Sequence, residues 1–201
     1  MAHEYLAAEQ LKATLELSGS VFAEEDVKAV IKAASRGIDG VCRRRFWADS
    51  ADQTRYYTPL SPDQILIDDL LTITSLATDQ DGDGTYEKTW LAATGYVLEP
   101  ANAAADGRPY TRIRRHPLAN WGFPDYYPNS VKLTGKFGWA AVPDEIVTAT
   151  SMLAARLFRR TREAPFGVIA IGLDIGAVTR VAATDPDVRT LTTDYIREKP
   201  Q

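Results

Sequence analysis

The sequence contains few of the residues from which metal centres, disulfides and thiol or imidazole catalysis are built. Its 201 residues include one cysteine, Cys42, and two histidines, His3 and His116. A single cysteine forms no internal disulfide, and neither histidine has a Cys or His partner at the short spacing that zinc sites use. Cys42 stands in a helical pattern beside Ile38 and Val41, which predicts a buried thiol. These absences favour a reduced protein without zinc or thiol chemistry.

Long apolar runs and an excess of positive charge are also missing. No apolar run approaches the ~20 residues of a membrane span. The N-terminal Met1–Tyr5 lacks the basic and apolar regions of a secretory signal, so we expect neither export by that route nor a membrane partner. The net charge is -4, whereas polyanion binders usually carry a basic excess. Hydrophobic residues make up 45% and charged residues 25%, which is typical of one globular domain over 1–201.

Motifs for catalysis are absent from the sequence as well. The serines occur in no nucleophile-elbow pattern, and no glycine loop is followed by the Lys and Ser or Thr that hold a phosphate. Asp68 and Asp69 are adjacent acids, but consecutive residues of a strand face opposite sides of a sheet. We therefore interpret this pair as a solvated strand end or a turn cap. The sequence predicts no enzyme, no catalytic residue and no cofactor.

Two amphipathic helices are predicted on either side of a long β-patterned middle. The first covers Glu24–Arg45 and the second Pro143–Arg162, each with apolar residues at the 3, 4 and 7 spacing of one helical face. Acidic residues open both helices and arginines close them, which complements the helix dipole. Shorter helices are predicted at Leu6–Leu17 and from Asp185 to Tyr195, where Asp185-Pro186 provides a cap and a first turn.

From residue 53 to 139 the pattern changes to short β-rich runs separated by turn residues. In the last run, Val131, Leu133, Phe137 and Trp139 alternate with polar residues, as in a half-buried strand. The fold class is therefore α+β: a helical bundle of about four helices with a β-rich insertion between the second and third. The predicted strands are Thr54–Thr58, Gln64–Leu70, Ile73–Thr78, Tyr86–Ala92, Tyr96–Glu99, Tyr110–Arg115 and Ser130–Trp139.

The segment Phe166–Val181 combines glycines with Val, Ile and Leu. It is too apolar for a solvated linker and too rich in glycine for a stable helix. We interpret it as a loop or hairpin that another surface covers, such as a neighbouring subunit. The charged end, residues 196–201, is predicted to be a flexible tail.

The run Asp79–Gly84 matches the first half of an EF-hand calcium loop, with Asp79, Asp81 and Asp83 as candidate ligands. Loop position 12 requires a bidentate Glu, but Trp90 stands there, and the flanks read as strands. Asp-Gly pairs between β runs are also typical of tight hairpin turns. The turn is the favoured interpretation, and calcium binding is the alternative.

The arginine clusters at the helix ends have two interpretations. Arginine is common at protein interfaces because its planar fork pairs with carboxylates of a partner, but such clusters also occur as solvated faces or dipole complements. A nucleic-acid-binding role would require both clusters to form one continuous patch. The candidate partner-interface residues are Arg43, Arg44, Arg45, Arg159, Arg160, Phe166, Ile171, Leu191 and Tyr195.

The segment Ala33–Phe46 resembles the head-to-tail connector, or adaptor, proteins of long-tailed bacteriophages. Further segments that resemble these proteins follow in the same order, so that the resemblance covers most of the chain. They are Ile67–Leu70, Asp79–Trp90, Gly135–Pro143, Leu157–Arg160, Pro165–Gly167 and Asp185–Val188.

This resemblance implies a structural virion protein of the capsid–tail neck, synthesised in the cytoplasm of the bacterial host. In that family, a helical bundle carries β insertions, and the copies form a ring of about twelve beneath the portal. The ring extends the DNA channel and docks the next neck or tail completion protein, while packaged DNA passes without specific binding. The implied partners are the portal protein, neighbouring copies and that next component.

Overall fold

The computed structural model describes residues 3–15, 23–163 and 185–197. The chain separates into two compact units, a helical unit over Met1–Arg44 and Val142–Glu198 and a sheet unit over Arg45–Ala141. Helices and an antiparallel sheet confirm the α+β class, with the strands inserted between the second and third helices. The single domain over 1–201 stays a prediction, and the predicted segment Phe166–Val181 lies outside the described residues.

The described part of the helical unit contains four α-helices. They are α1 (Ala8–Thr14), α2 (Glu24–Cys42), α3 (Asp144–Glu163) and α4 (Pro186–Thr192), and a 3-10 turn over Thr193–Tyr195 follows α4. Asp185 caps α4 as predicted, because its side chain accepts a hydrogen bond from the Asp187 backbone N–H.

Helix α2 begins at the predicted residue but ends three residues earlier than expected. Its buried positions Val27, Ile31 and Ile38 lie on the apolar face that the spacing predicts. The helix stops at Cys42 because Arg43 adopts the left-handed conformation, with φ 53°. The predicted end at Arg45 was therefore wrong: a left-handed cap replaces the last turn.

Helices α2 and α3 run antiparallel. Near the start of α2, Val27 and Ile31 share an apolar cluster with Ala154 and Phe158, which lie near the end of α3. At the opposite end, the 3-10 turn joins both helices. The Tyr195 hydroxyl donates to Glu145 Oε2 at 2.9 Å, and the Arg197 backbone N–H donates to the Cys42 carbonyl at 2.9 Å.

The antiparallel packing separates the two predicted arginine clusters within the helical unit. Arg43 follows the end of α2 where α3 begins, whereas Arg159 and Arg160 lie at the end of α3 where α2 begins. A 19-residue helix is roughly 28 Å long, so a comparable distance divides the two groups. The continuous patch that a nucleic-acid-binding role requires is not formed by these residues.

The sheet unit contains six strands in the order β1-β6-β2-β5-β4, with β3 paired to β2. All pairings between neighbouring strands are antiparallel. The strands are β1 (Gln53–Tyr57), β2 (Gln64–Thr78), β3 (Lys88–Thr89), β4 (Tyr96–Glu99), β5 (Tyr110–Arg115) and β6 (Val131–Phe137).

Strand β2 is one strand of 15 residues where the sequence predicted two, Gln64–Leu70 and Ile73–Thr78. Register shifts between Leu70 and Thr72 and between Ile73 and Ser75 keep it continuous through the predicted break. Asp68 and Asp69 therefore lie inside a strand and not at its end, which corrects their interpretation. Asp68 Oδ2 pairs with Arg55 at 2.7 Å, and Asp69 Oδ2 accepts the Trp139 indole N–H at 2.9 Å.

Strand β6 follows the predicted alternation, with Val131, Leu133 and Phe137 fully buried. The short β3 is a second correction, since the predicted strand Tyr86–Ala92 contributes only Lys88 and Thr89 to the sheet. The residues before it belong to the preceding loop. This loop contains the acidic residues that the sequence singled out.

Candidate functional site

The acidic loop, residues 79–87, connects β2 to β3. At its base, the buried Asp79 side chain accepts three backbone hydrogen bonds. Its Oδ1 accepts from Asp81 at 3.2 Å and Gly82 at 2.7 Å, and its Oδ2 accepts from Gly84 at 2.8 Å. Gly82 and Gly84 both have positive φ, 83° and 87°, which is why glycine suits these two positions. The Asp-Gly run connects two antiparallel strands as predicted, but through a loop over residues 79–87 that one carboxylate organises and not through a tight turn.

The loop amides determine the ionisation of Asp79. Burial acts to raise the pKa of this carboxyl, but the hydrogen bonds from Gly82, Gly84 and Asp81 outweigh it and hold the pKa below the ordinary 3.8. Asp79 is therefore an anion at neutral pH, and its charge is already met by backbone dipoles.

The loop brings together a partly different set of acids from the predicted calcium ligands. Carboxylate oxygens of Asp79, Asp81 and Glu87 lie within 4.8 Å of one another. Asp83 is not in this group, and its Oδ1 accepts from the Thr85 backbone N–H at 2.6 Å. Glu87 was missed by the sequence reading, although it stands at position 9 of an EF-hand loop, where a ligand often acts through water.

Trp90, at position 12 of the same template, belongs to the sheet core. Its indole N–H donates to Thr78 Oγ1 at 2.9 Å, and its ring centroid lies 4.3 Å from that of Phe123. Calcium takes six to eight oxygen ligands, whereas this loop groups three carboxylates, each of which already accepts at least one hydrogen bond from a backbone N–H. The geometry favours a structured acidic turn.

Tyrosines surround the acidic loop. The Tyr127 ring packs on Gly82, where an added Cβ would lie 2.7 Å from Tyr127 Cε1. Tyr126 contacts Tyr127 edge-on at 4.6 Å between ring centroids, and Tyr86 lies 5.6 Å from Tyr56. Tyr126 and Tyr56 are 67% and 51% exposed, so two aromatic faces are open beside the loop.

The surface made by the acidic loop and these four tyrosines is called the acid–tyrosine surface below. Asp81, Asp83 and Glu87 are exposed on it, and none of them forms an ion pair with another described residue. Burial raises the pKa of Tyr127, and the charges of Tyr126, Asp81 and Asp79 raise it further, so the hydroxyl stays neutral. The surface therefore combines open negative charge with aromatic faces, a combination that favours a cationic partner.

The arginines predicted as interface residues have different environments. Arg45 Nη2 pairs with Asp49 Oδ1 at 2.6 Å, and its guanidinium lies 5.4 Å from the Trp47 ring centroid. Residues of the sheet unit therefore already engage the Arg45 side chain. Arg43, Arg159 and Arg160 are exposed, and among the described residues no ion pair involves them. Arg44 is half-buried.

The remaining predicted interface residues belong to the C-terminal half. Tyr195 is buried in the helical unit, and Leu191 is half-buried. Phe166 and Ile171 lie outside the described residues. A contact with a partner stays a prediction for all nine residues. Arg197 forms a backbone hydrogen bond, while residues 198–201 of the predicted tail are not described.

A small open groove lies elsewhere on the sheet unit. Its volume is about 190 Å³, and Trp90, Leu118 and Trp121 are among its lining residues. Lys88 Nζ lies 3.6 Å from the Trp121 ring centroid at its rim. Across the described ranges, no helix is both long and apolar enough to cross a bilayer.

The fold is similar to that of two chains from gene transfer agent (GTA) particles. One is from the neck of an empty GTA particle computed with C6 symmetry, with a TM-score of 0.57, 17% identity, and coverage of 96% of this chain and 90% of that chain. The other is from the virion of a native GTA particle, with a TM-score of 0.55, 19% identity, and coverage of 96% and 90%. No protein-family model and no curated protein matches the chain. Identities this low show a shared fold, and that fold agrees with the resemblance found in the sequence.

Proposed function

We propose that this protein is a structural component of a virion neck that works as a head-to-tail connector. Copies form a ring beneath the portal, extend the DNA channel and dock the next neck or tail component. The observation that carries this proposal is the fold match, over 96% of the chain, to a chain from the neck of a GTA particle. The sequence resemblance to phage connectors supports it independently.

The charge distribution supports ring formation. A closed ring uses a heterologous interface, in which one face of each subunit contacts a different face of the next. The acid–tyrosine surface and the exposed pair Arg159 and Arg160 are two unlike surfaces of opposite charge on one chain. A protein with this role needs such surfaces and no catalytic centre.

The proposed contact with DNA is passive. The net charge of -4 disfavours tight binding to a polyanion, and the antiparallel helices separate Arg43 from Arg159 and Arg160. A nucleic-acid-binding accessory protein is the alternative. Strong retention on DNA cellulose that falls steeply with added salt would favour that alternative over the connector.

Calcium binding is a second alternative, favoured by one observation: the grouping of Asp79, Asp81 and Glu87 within 4.8 Å. Calorimetry with calcium chloride tests it directly, and Glu87→Gln is the variant that distinguishes this group from the predicted set with Asp83. We expect no binding in the micromolar range of EF-hand sensors, because too few oxygens are free.

The connector proposal is tested by mixing the protein with the portal protein encoded near it. We expect light scattering to give a mass for the mixture that corresponds to a ring of this chain on the portal, with the ring visible in negative stain. A monomer in isolation is compatible with the proposal, since the portal can template assembly. Failure to form any complex across several salt concentrations would contradict it.

The C-terminal element gives a second test of partner contacts. A chain truncated after Thr184 lacks α4 and the candidate residues Leu191 and Tyr195. We expect this variant to lose portal binding, with Tyr195→Phe as the milder control because it removes only the hydrogen bond to Glu145. Unchanged portal binding by the truncated chain would exclude this element from the interface.

A further inference from the structure

Exposed charges of opposite sign lie on the two units of this protein. On the sheet unit, Asp81, Asp83 and Glu87 are exposed on the acidic loop. On the helical unit, Arg159 and Arg160 are exposed near the end of α3. Among the side chains that the structure describes, none forms an ion pair with any of these five. Each unit therefore presents one charged surface that another molecule is able to neutralise.

The acid–tyrosine surface has the composition that binds arginine. A guanidinium pairs with carboxylates through its fork of N–H donors and stacks on aromatic rings. The chain uses this combination internally, where Arg36 Nε pairs with Asp39 at 3.0 Å while its guanidinium lies 5.5 Å from the Tyr5 ring centroid. On the acid–tyrosine surface, Tyr126 and Tyr56 provide exposed rings beside exposed carboxylates. No described arginine lies against these two rings, and the cation that the chain itself places at this surface is Lys132, whose Nζ lies 5.6 Å from the ring centroid of Tyr86.

We propose that Arg159 and Arg160 of one copy dock on the acid–tyrosine surface of the next copy, and that this contact is repeated around the ring. The proposal rests on the connector function above and names the interface between its subunits. The contact is heterologous, so a pair of copies still has one free surface of each kind, and rotational closure of the ring satisfies both. A second copy is the chosen occupant because the chain itself carries the complementary charge.

Two charge-reversal variants test the pairing. The acid-reversed variant carries Asp81→Lys and Asp83→Lys, and the arginine-reversed variant carries Arg159→Glu and Arg160→Glu. Each variant alone has like charges at every subunit contact. We expect its assembly on the portal to weaken by about tenfold or more at about 0.15 M salt, since like charges face each other across a desolvated contact.

An equal mixture of the two variants gives the decisive result. In an alternating ring, the lysines of one variant meet the glutamates of the other, and the native acids meet the native arginines. Every contact is then complementary again in a ring with an even number of subunits. We expect the mixture to assemble to within about twofold of the unaltered protein, as does a chain carrying all four substitutions.

Matched controls separate this contact from general charge effects. Asp106→Lys and Lys32→Glu change exposed charges elsewhere on the sheet unit and the helical unit, and we expect both to assemble normally. Tyr126→Ala should weaken assembly and Tyr126→Phe should preserve it, because Phe keeps the stacking face. If the lysine variant is unfolded by circular dichroism, Asp81→Asn with Asp83→Asn keeps the turn acceptors, and we expect partial loss of assembly.

The outcomes distinguish this contact from the connector function itself. Absence of a ring with the unaltered protein and portal would overturn the connector proposal. If each charge-reversal variant alone forms the ring as well as the unaltered protein does, the proposed contact is overturned and the connector proposal stands. If both variants assemble poorly alone and their mixture does not restore ring assembly, the pairing is also overturned, because each surface would then contact some other partner.

Discussion

Asp79 organises the acidic loop through a single carboxylate. It accepts backbone hydrogen bonds from three residues of the loop, Asp81, Gly82 and Gly84. The exposed acids that follow it are therefore held in a fixed backbone, which reduces the entropy lost when a partner binds them.

Acid should loosen this loop at a pH below the ordinary titration range of Asp. Because the folded pKa of Asp79 lies below 3.8, its contribution to stability is complete above that value and is lost as the pH falls through the folded pKa. NMR titration of the Gly82 and Gly84 amide shifts should give a midpoint below 3.8. Asp79→Asn should abolish the titration, whereas a midpoint above 3.8 would contradict the proposed role of the amides.

Cys42 should be chemically inert in the folded protein. Its side chain is fully buried, and this burial, opposed by the charge of Arg44 and assisted by that of Asp39, raises the pKa of the thiol to about 11. Only about a thousandth of the thiol is ionised at pH 8. Alkylation by iodoacetamide should be at least about a hundredfold faster in denaturant than in buffer at the same pH. Rapid modification of the native protein would indicate that α2 opens near its end.

At the scale of the elements, the sequence predicted those parts of the fold whose patterns are local. The apolar spacing of α2 and the alternation of β6 depend on residues within each element, and both were confirmed. Strand β2 was divided wrongly because two adjacent acids resemble a strand end. Their partners, Arg55 for Asp68 and Trp139 for Asp69, are 13 and 70 residues away and are not visible in a local pattern.

The candidate site, like the fold, was predictable only where its features depend on a local sequence pattern. The Asp-Gly turn was predicted from its composition, but the approach of Glu87 and the tyrosines depends on tertiary contacts. Tyr86 is held by a hydrogen bond from its hydroxyl to the Asn129 carbonyl at 2.8 Å, across 43 residues of sequence. A reading that examined position 9 of the calcium template would have found Glu87, whereas no local signal identifies the tyrosines.

Two glycines of α2 offer a matched test of helix packing. An added Cβ at Gly40 meets nothing within 4 Å, whereas one at Gly37 lies 3.2 Å from Leu153 Cδ2. Gly40→Ala should raise the free energy of unfolding by about 0.5–1 kcal/mol through helix propensity. Gly37→Ala should raise it less, because the Leu153 side chain must move by a few tenths of an ångström to make room for the added Cβ. Urea unfolding of both variants measures the difference, and a larger gain at Gly37 would contradict the described packing.

At the scale of the whole molecule, the insertion leaves and re-enters the helical unit at neighbouring points. The end of α2 and the start of α3 both bond to the same short segment, since Arg197 donates to the Cys42 carbonyl and Tyr195 donates to the Glu145 carboxylate. The two helices therefore need only a short connection, and the 97 residues from Arg45 to Ala141 are not required to span a distance between them.

Replacing residues 45–141 by a short glycine–serine linker should leave the helical unit folded. The apolar cluster shared by α1, α2 and α3 lies within the helical unit, so its burial survives the replacement. We expect helical circular dichroism and cooperative thermal unfolding of the shortened chain. A molten chain without a cooperative transition would show that the helices depend on the sheet unit. The acidic loop is lost with the sheet unit, so the shortened chain should not form rings.

The adjacency of those two connection points also has an evolutionary consequence. A segment whose ends meet at one place is gained, lost or exchanged in a single genetic event without altering the path of the surrounding chain. The antiparallel pair α2 and α3 therefore keeps its structure, while the sequence and length of the strands inserted between the two helices are free to change. Under the proposed connector function, exchange of the sheet unit within the same helical frame changes which tail component a capsid accepts, while the frame itself is inherited unchanged.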